Sequence, residues 1–176
     1  MELLVCGPQP ATRYRHLLER FEQADSWATD GHKWLNVPYG CGYAFVAHPA
    51  SHRAAMSHRA PYLTHDQDAR DQIDWNPEWS RRARGFATYA ALRQLVRQGL
   101  DQMVDRCCRH ARDLVTGLGS YRVQKYSGSR LPDGRAFFMG TAWRHQRAMR
   151  VSVLNWQTTR AGIATAVDAV AKCLGR

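Results

Sequence analysis

The sequence is short of lysine, and it contains no paired-cysteine motif and no long apolar run. Only three lysines occur among 176 residues, Lys33, Lys125 and Lys172, so few side chains suit chemistry that needs a free amine. The five cysteines form no CxxC pair and no zinc-like group with histidine, which favours a reduced protein over a disulfide scaffold. No apolar run approaches the roughly 20 residues of a membrane span, and the start of the chain does not resemble a signal peptide. We therefore expect a cytoplasmic protein with no membrane partner.

The charge of the chain is strongly positive and comes almost entirely from arginine. Lys and Arg total 25 against 15 Asp and Glu, and all but three of the basic residues are arginine. Such a balance makes nucleic acid a candidate partner. The arginines are spread along the chain, however, and no nucleic-acid-binding motif is present. We interpret them as solvated helix faces and keep nucleic-acid binding only as a minor alternative.

Hydrophobic periodicity predicts a globular chain of mixed helices and short strands. The predicted helices cover 14–24, 76–98 with Asn76 as the cap, 100–118, and a last segment from Thr158 or Thr159 to about Leu174. The predicted strands cover 41–47, 121–126, 136–139 and 149–154. Residues 25–39 are expected to be turn-rich, and 48–75 to form an exposed connection. Gly99 is expected to separate the two middle helices.

The most informative segment lies between Ala24 and Val46, where a rare lysine directly follows a histidine in a polar turn. If Lys33 is partly desolvated, its charged form is disfavoured and the free amine can form a Schiff base with a carbonyl. His32 is a candidate to donate to a phosphate or to stack on a ring. On the residues alone, an exposed turn lysine is the commoner alternative.

The 18-residue run DSWATDGHKWLNVPYGCG, from Asp25 to Gly42, resembles the cofactor-lysine segment of the group II pyridoxal-phosphate-dependent amino acid decarboxylases. This is the family of aromatic-amino-acid, glutamate and related decarboxylases. The resemblance implies that Lys33 binds pyridoxal 5'-phosphate covalently and that His32 lies at the phosphate and ring edge. Asp30 stands at a position from which relatives commonly contact the phosphate through asparagine. Lys33, His32 and Asp30 are therefore the expected cofactor-binding residues.

A second resemblance concerns the predicted connection, where Ala60-Pro61-Tyr62-Leu63 is similar to the family's flexible catalytic loop. By this resemblance Tyr62 protonates the substrate carbon after carbon dioxide leaves, and it joins Lys33 as an expected catalytic residue. A phenol on a closing loop can deliver a proton while the loop excludes water. Without the resemblance, a tyrosine beside a proline would be interpreted as a packing residue.

The resemblance implies an α/β chain, namely the C-terminal part of a fold-type I transferase-like large domain followed by a small α+β domain. The expected organisation is a leader at 1–13, the end of the cofactor domain at 14–75, linking helices at 76–118 and a shortened small domain at 119–176. In the linking segment, Arg81 and Arg82 match the paired basic residues of the family. The implied function is decarboxylation of an L-amino acid to the amine, as a homodimer or together with a complementary N-terminal half.

The sequence also departs from the family. The family is longer than this chain, and no residue here can be assigned as the carboxylate that pairs with the ring nitrogen of the cofactor. Gly40 stands where relatives usually carry an acidic residue, and Gly31 where alanine is common. A noncatalytic remnant of a decarboxylase is therefore the alternative. Two possible metal groups, His48 with His52 and the Cys107-Cys108 pair with His110, are interpreted as structural, and no metal is expected.

Overall fold

The structure, a computed structural model, describes residues 12–58, 60–62, 70–119 and 134–173. It divides into two compact units, the first ending at Gln94 and the second beginning at Leu95. Each unit has its own small antiparallel sheet of two strands. None of the described helices is long and apolar enough to cross a membrane.

The sheet of the first unit pairs strand β1 (Ser26–Asp30) with strand β2 (Gly42–Val46). The register runs from Ser26 opposite Val46 to Asp30 opposite Gly42. Strand β2 confirms the strand predicted over 41–47, although three of its five residues are exposed where full burial was expected. Strand β1 lies in the segment predicted to be turn-rich, because its Ser, Thr and Asp residues obscure the alternation of the half-buried strand.

Two other predictions in the first unit are corrected. The helix expected over 14–24 is replaced by two short 3-10 helices, Thr12–Leu18 and Phe21–Gln23, since Arg20 between them adopts a left-handed conformation with φ 66°. The connection expected over 48–75 contains helix α1 (Pro49–Met56) and a 3-10 helix at Gln72–Asp74. Pro49 in the first turn of α1 is well tolerated because its missing N–H has no helical partner there.

A buried carboxylate joins these two helices. The side chain of Asp74 is 1% exposed, and it accepts hydrogen bonds from Arg53 Nε at 2.8 Å and from Ser57 Oγ at 2.6 Å. Arg53 Nη2 completes the ion pair at 2.6 Å. His52 Nε2 lies 3.0 Å from the backbone oxygen of the next residue, Trp75. One buried, fully paired carboxylate therefore connects helix α1 with the 3-10 helix at Gln72–Asp74, on either side of Tyr62 in the sequence.

Helix α2 extends from Gly85 to Gly119 and is interrupted at Val96, which has non-helical angles of φ 46° and ψ −173°. With Asn76 as the predicted cap, the helix was expected to begin at Pro77, but it begins eight residues later, and the break lies at Val96 rather than at Gly99. The side chain of Asn76 contacts Gln72 and Arg81 instead of capping a helix. Arg81 also pairs with Glu78 at 2.7 Å, so the polar residues of this segment stabilise a non-helical turn.

The second unit packs the C-terminal part of α2 and helix α3 (Arg160–Cys173) around a small apolar core. The apolar spacing of the segment 100–118 predicts one buried stripe, made of Leu100, Met103, Val104, Cys107, Ala111, Leu114 and Val115. The structure buries Met103, Val104, Cys107 and Leu114, whereas the prediction is wrong for Val115, which is 70% exposed. Gly117 allows close packing, because a Cβ there would lie 2.8 Å from Val167 Cγ2. Helix α3 begins as predicted, with Thr159 Oγ1 accepting a hydrogen bond from the backbone N–H of Gly162 at 3.1 Å.

The strands of the second unit differ from the prediction. Strand β3 covers Met139–Trp143 and strand β4 covers Gln146–Arg150, so the strand expected over 149–154 lies earlier in the chain. Arg144 and His145 form the two-residue turn with φ values of 47° and 62°, a conformation that is usually signalled by glycine or asparagine. The strand predicted at 121–126 lies outside the described residues.

Neither suggested metal group is assembled in the part of the chain that the structure describes. His48 Nε2 lies 3.4 Å from Asp25 Oδ1, whereas His52 contacts the backbone of Trp75, so the two histidines have different partners. Burial raises the pKa of the Cys107 thiol, which keeps it protonated and unsuited to a metal. The four described cysteines, Cys41, Cys107, Cys108 and Cys173, are free.

Replacement of Asp74 by alanine tests the importance of the buried ion pair. We expect the free energy of unfolding to fall by about 2–3 kcal/mol, because two charged or polar donors lose their buried acceptor. Urea unfolding followed by tryptophan fluorescence measures this change. The control is Asp168→Ala, which removes an exposed carboxylate paired with Arg135 and Lys172 and should have little effect. If both variants lost the same free energy of unfolding, the buried Asp74 ion pair would not be more important than an exposed one.

Candidate functional site

The candidate site lies in the turn that follows strand β1. Three backbone hydrogen bonds shape it: Gly31 N–H to Cys41 O at 2.8 Å, Lys33 N–H to Asp30 O at 3.2 Å, and Val37 N–H to Gly31 O at 3.4 Å. Leu35, Val37 and Cys41 are buried, with 5%, 6% and 8% of their surfaces exposed. Burial of these three apolar side chains therefore anchors the polar turn at the end of the sheet.

Lys33 and Asp30 form the central charged pair of this turn. Lys33 Nζ lies 2.9 Å from Asp30 Oδ2, and the lysine side chain is 32% exposed. The hydrogen bond from Lys33 holds the pKa of Asp30 below its usual value, and attraction to the charges of Lys33 and His32 acts in the same direction. Asp30 is therefore ionised across the neutral range, and its charge favours the ammonium form of Lys33.

His32 has a defined orientation beside the lysine. Its ring stacks on Tyr39 with a centroid distance of 4.3 Å and an interplanar angle of 23°. Arg84 Nη1 donates a 2.6 Å hydrogen bond to the backbone oxygen of Tyr39 and so fixes this part of the turn from the residue just before helix α2. Gly40 has a φ of 79°, and a Cβ there would lie 2.8 Å from the Arg84 guanidinium. Glycine suits this position because of its positive φ, and a larger residue would displace the tip of the Arg84 side chain.

Three side chains below the turn form a compact polar cluster. Tyr43 Oη lies 2.6 Å from Thr88 Oγ1, and the Sγ atom of Cys41 lies 3.4 Å from each of these oxygens. Cys41 and Tyr43 belong to the β2 side of the turn, whereas Thr88 lies in the first turn of α2. The cluster therefore joins the lysine turn to a helix 45 residues further along the chain.

Of the four residues predicted from the sequence, Asp30, His32 and Lys33 lie together in this turn. Tyr62 lies in a different turn, at residues 61–62, with 75% of its surface exposed. The residue that follows it, Leu63, lies outside the described part of the chain. Sequence reasoning missed Tyr39, Tyr43, Arg84 and Thr88, which hold the lysine turn. No local sequence pattern singled out any of these four residues, because their contacts join separate segments of the chain.

Comparison with known proteins gives a match between residues 10–122 and the model described as the pyridoxal-dependent decarboxylase conserved domain. An aromatic-L-amino-acid decarboxylase of Drosophila lebanonensis is 31% identical over 104 residues, which are 58% of this chain and 26% of that protein. An aspartate 1-decarboxylase of Aliivibrio fischeri is 29% identical over 98 residues, or 56% of this chain and 18% of that protein. The chain thus spans about a quarter or less of these relatives.

A similar fold occurs in the crystal structure of Oryza sativa TDC with PLP and tryptamine. The TM-score is 0.74, the sequence identity is 17%, and the likeness covers 91% of this chain and 40% of that one. The apo form of mouse CSAD gives a TM-score of 0.69 at 16% identity. These likenesses establish the α/β fold expected from the sequence.

The ion pair of the lysine turn predicts how Lys33 reacts. In Asp30→Asn the ammonium loses a charged partner, so a larger fraction of Lys33 is the free amine at neutral pH. We expect acylation of Lys33 by an amine-reactive ester to accelerate roughly two- to fivefold, as suits an exposed pair. Peptide mass spectrometry measures the labelling of each lysine separately.

The chain contains a matched control for this experiment. Lys172 Nζ lies 3.1 Å from Asp168 Oδ2, so Asp168→Asn should accelerate the labelling of Lys172 and leave Lys33 unchanged. Labelling of Lys33 that is the same in Asp30→Asn and in the unsubstituted protein would show that the carboxylate does not control the amine.

Proposed function

The chain belongs to the pyridoxal-dependent decarboxylase family, and we propose that it carries the cofactor-lysine part of an enzyme that decarboxylates an L-amino acid to the amine. The observation that carries the proposal is the placement of Lys33 next to His32 and Asp30. The backbone of this turn is held by hydrogen bonds, and its apolar side chains are buried. The family match over 10–122 includes this entire turn. The proposed cofactor is pyridoxal 5'-phosphate.

The residues of the turn suit this cofactor in part. The amine of Lys33 is the group that binds an aldehyde covalently, and its partial exposure leaves it accessible. The imidazole of His32, oriented by Tyr39, suits a contact with the phosphate or the ring. We keep Asp30 among the proposed cofactor-binding residues. Its carboxylate is ionised, however, so it attracts the amine of Lys33 and would repel a phosphate.

The proposed chemistry divides between the cofactor and the chain. When bound, pyridoxal phosphate would supply an electron sink for cleavage of the bond to the carboxylate. Lys33 Nζ would hold the aldehyde and must lose a proton first, which the charge of Asp30 opposes. Tyr62 Oη would hold the proton that replaces carbon dioxide on the substrate carbon. His32 would orient the anionic end of the cofactor.

The substrate and the partners form a further part of the proposal. Relatives named for aromatic amino acids and for aspartate match this chain at 31% and 29% identity, so the class that we propose is L-amino acids in general. The likeness to Oryza sativa TDC covers 40% of that chain. We therefore propose that a complete site needs further polypeptide, from a second copy in a homodimer or from a complementary N-terminal half. The proposed location is the cytoplasm.

Covalent capture of the cofactor is the direct test of the lysine assignment. The chain is incubated with pyridoxal phosphate and treated with borohydride, and peptide mass spectrometry then locates the added mass. We expect the label on Lys33 and its loss in Lys33→Ala, because the label requires the amine of that residue. The control Lys172→Ala should retain the label. A protein without label, or one labelled equally in Lys33→Ala, would favour the noncatalytic remnant.

The role of Tyr62 is tested by the formation of product. In the presence of cofactor and of aromatic or acidic L-amino acids, Tyr62→Phe should form amine about a hundredfold more slowly, because a positioned general acid contributes at least that factor. Its capture of cofactor at Lys33 should be unchanged. The control Tyr89→Phe alters another exposed phenol, 61% exposed on helix α2. Equal amine formation by Tyr62→Phe and the unsubstituted chain would contradict the assignment.

A further inference from the structure

We propose that the hydroxyl groups of Tyr43 and Thr88 are a positioning device for Lys33. The inference rests on the function proposed above for Lys33 and adds two residues that do not touch the reacting atoms. Tyr43 would act by filling the space beside Gly31, and Thr88 by fixing the hydroxyl of Tyr43 from helix α2. Both are therefore positioning residues rather than catalytic ones.

The space beside Gly31 is the first step of the argument. A Cβ at this residue would lie 2.5 Å from Tyr43 Oη and 2.8 Å from Val37 Cγ2, closer than real side chains approach. The φ of Gly31 is not in the left-handed region, which among the described glycines is adopted by Gly40 and Gly134. Glycine therefore serves here to leave space and not for its conformation, and the atom nearest to that space is the Tyr43 hydroxyl oxygen.

The position of that hydroxyl is the second step. Tyr43 Oη and Thr88 Oγ1 are 2.6 Å apart, a short hydrogen bond, and the buried thiol of Cys41 contacts both oxygens. Without the Thr88 hydroxyl, the phenol would lose its partner on helix α2 and could rotate or shift toward the turn. The first turn of α2 thus sets how closely Tyr43 approaches Gly31.

The short path from Gly31 to Lys33 is the third step. The backbone N–H and oxygen of Gly31 are bonded to Cys41 and Val37, and the N–H of Lys33 is bonded to Asp30. A displacement of Gly31 would move the residues on both sides of it and thereby alter the direction of the lysine side chain. The geometry therefore connects Thr88 to Lys33 through Tyr43 and Gly31, all within the first unit.

The experiment compares Thr88→Val, which keeps the shape but loses the hydroxyl, with Thr88→Ser, which keeps the hydroxyl. Covalent capture of pyridoxal phosphate at Lys33 is expected to slow roughly tenfold in Thr88→Val and in Tyr43→Phe, because small misplacements of a reacting group are costly. Thr88→Ser should restore most of the rate. The control Ser57→Ala removes another 2.6 Å hydroxyl hydrogen bond in this unit, far along the chain from the turn, and should leave capture unchanged.

A second measurement does not depend on the cofactor. Amide hydrogen exchange of a peptide spanning 26–33 should accelerate in Thr88→Val and not in Ser57→Ala, since the Gly31 and Lys33 amides lie in the displaced turn. Unchanged exchange in Thr88→Val, or capture that is as fast as in the unsubstituted chain, would overturn the inference. If the unsubstituted chain captures no cofactor, the proposed function fails, and hydrogen exchange still decides whether Thr88 holds the turn.

Gly31→Ala supplies the coupling test. Alone it should slow capture and accelerate exchange of the turn, because its Cβ displaces the Tyr43 hydroxyl. Combined with Tyr43→Phe, which removes the oxygen in closest conflict, part of the loss should be recovered. Strictly additive losses in the double variant would show that the two residues do not share the proposed space.

Discussion

The antiparallel pairing of β1 with β2 is the constraint on which the candidate site depends. The register places Asp30 opposite Gly42, and the Gly31 hydrogen bond to Cys41 continues the same ladder by one residue. The chain must therefore reverse direction between residues 31 and 41, and Lys33 lies at the start of this reversal. Leu35 and Val37 are buried, and moving the turn off the sheet would expose both side chains to water. The backbone of this polar segment is therefore held in one position.

Local patterns explain what could be predicted from the sequence. The apolar stripe of α2 between Met103 and Leu114 and the Thr159 cap of α3 are confirmed, because both depend on residues within a few positions of each other. Strand β1 was missed, since the polar residues that give it chemistry also hide its alternation. The start of α2 was misplaced, because the Asn76-Pro77 cap signal competes with side-chain contacts from Arg81 that periodicity does not reveal. The Tyr43–Thr88 contact joins residues 45 positions apart and has no local signature at all.

The excess of arginine has structural uses that composition alone did not suggest. Arg53 neutralises the buried Asp74, Arg84 holds the backbone of Tyr39, and Arg135 pairs with Asp168. Each contact uses the planar guanidinium to reach an oxygen while part of the side chain stays in solvent, which a lysine does less well. Arg53 and Arg84 thus support the fold, whereas Arg135 forms an exposed pair, and none of these three charges by itself indicates a nucleic-acid surface.

Asp30 gives the site a conflict between holding the lysine in place and leaving its amine reactive. The carboxylate holds Lys33 in a defined place, yet it stabilises the ammonium form, which cannot attack an aldehyde. Because the pKa of Asp30 is lowered, protonation of the carboxylate relieves this conflict only in acid, where the lysine is protonated in any case. Relief must therefore come from rising pH, which deprotonates the amine, or from a ligand that displaces the ion pair. An anionic ligand that approached Lys33 would also meet the negative charge of Asp30, so this one carboxylate bears both on the reactivity of the lysine and on which ligands the turn accepts.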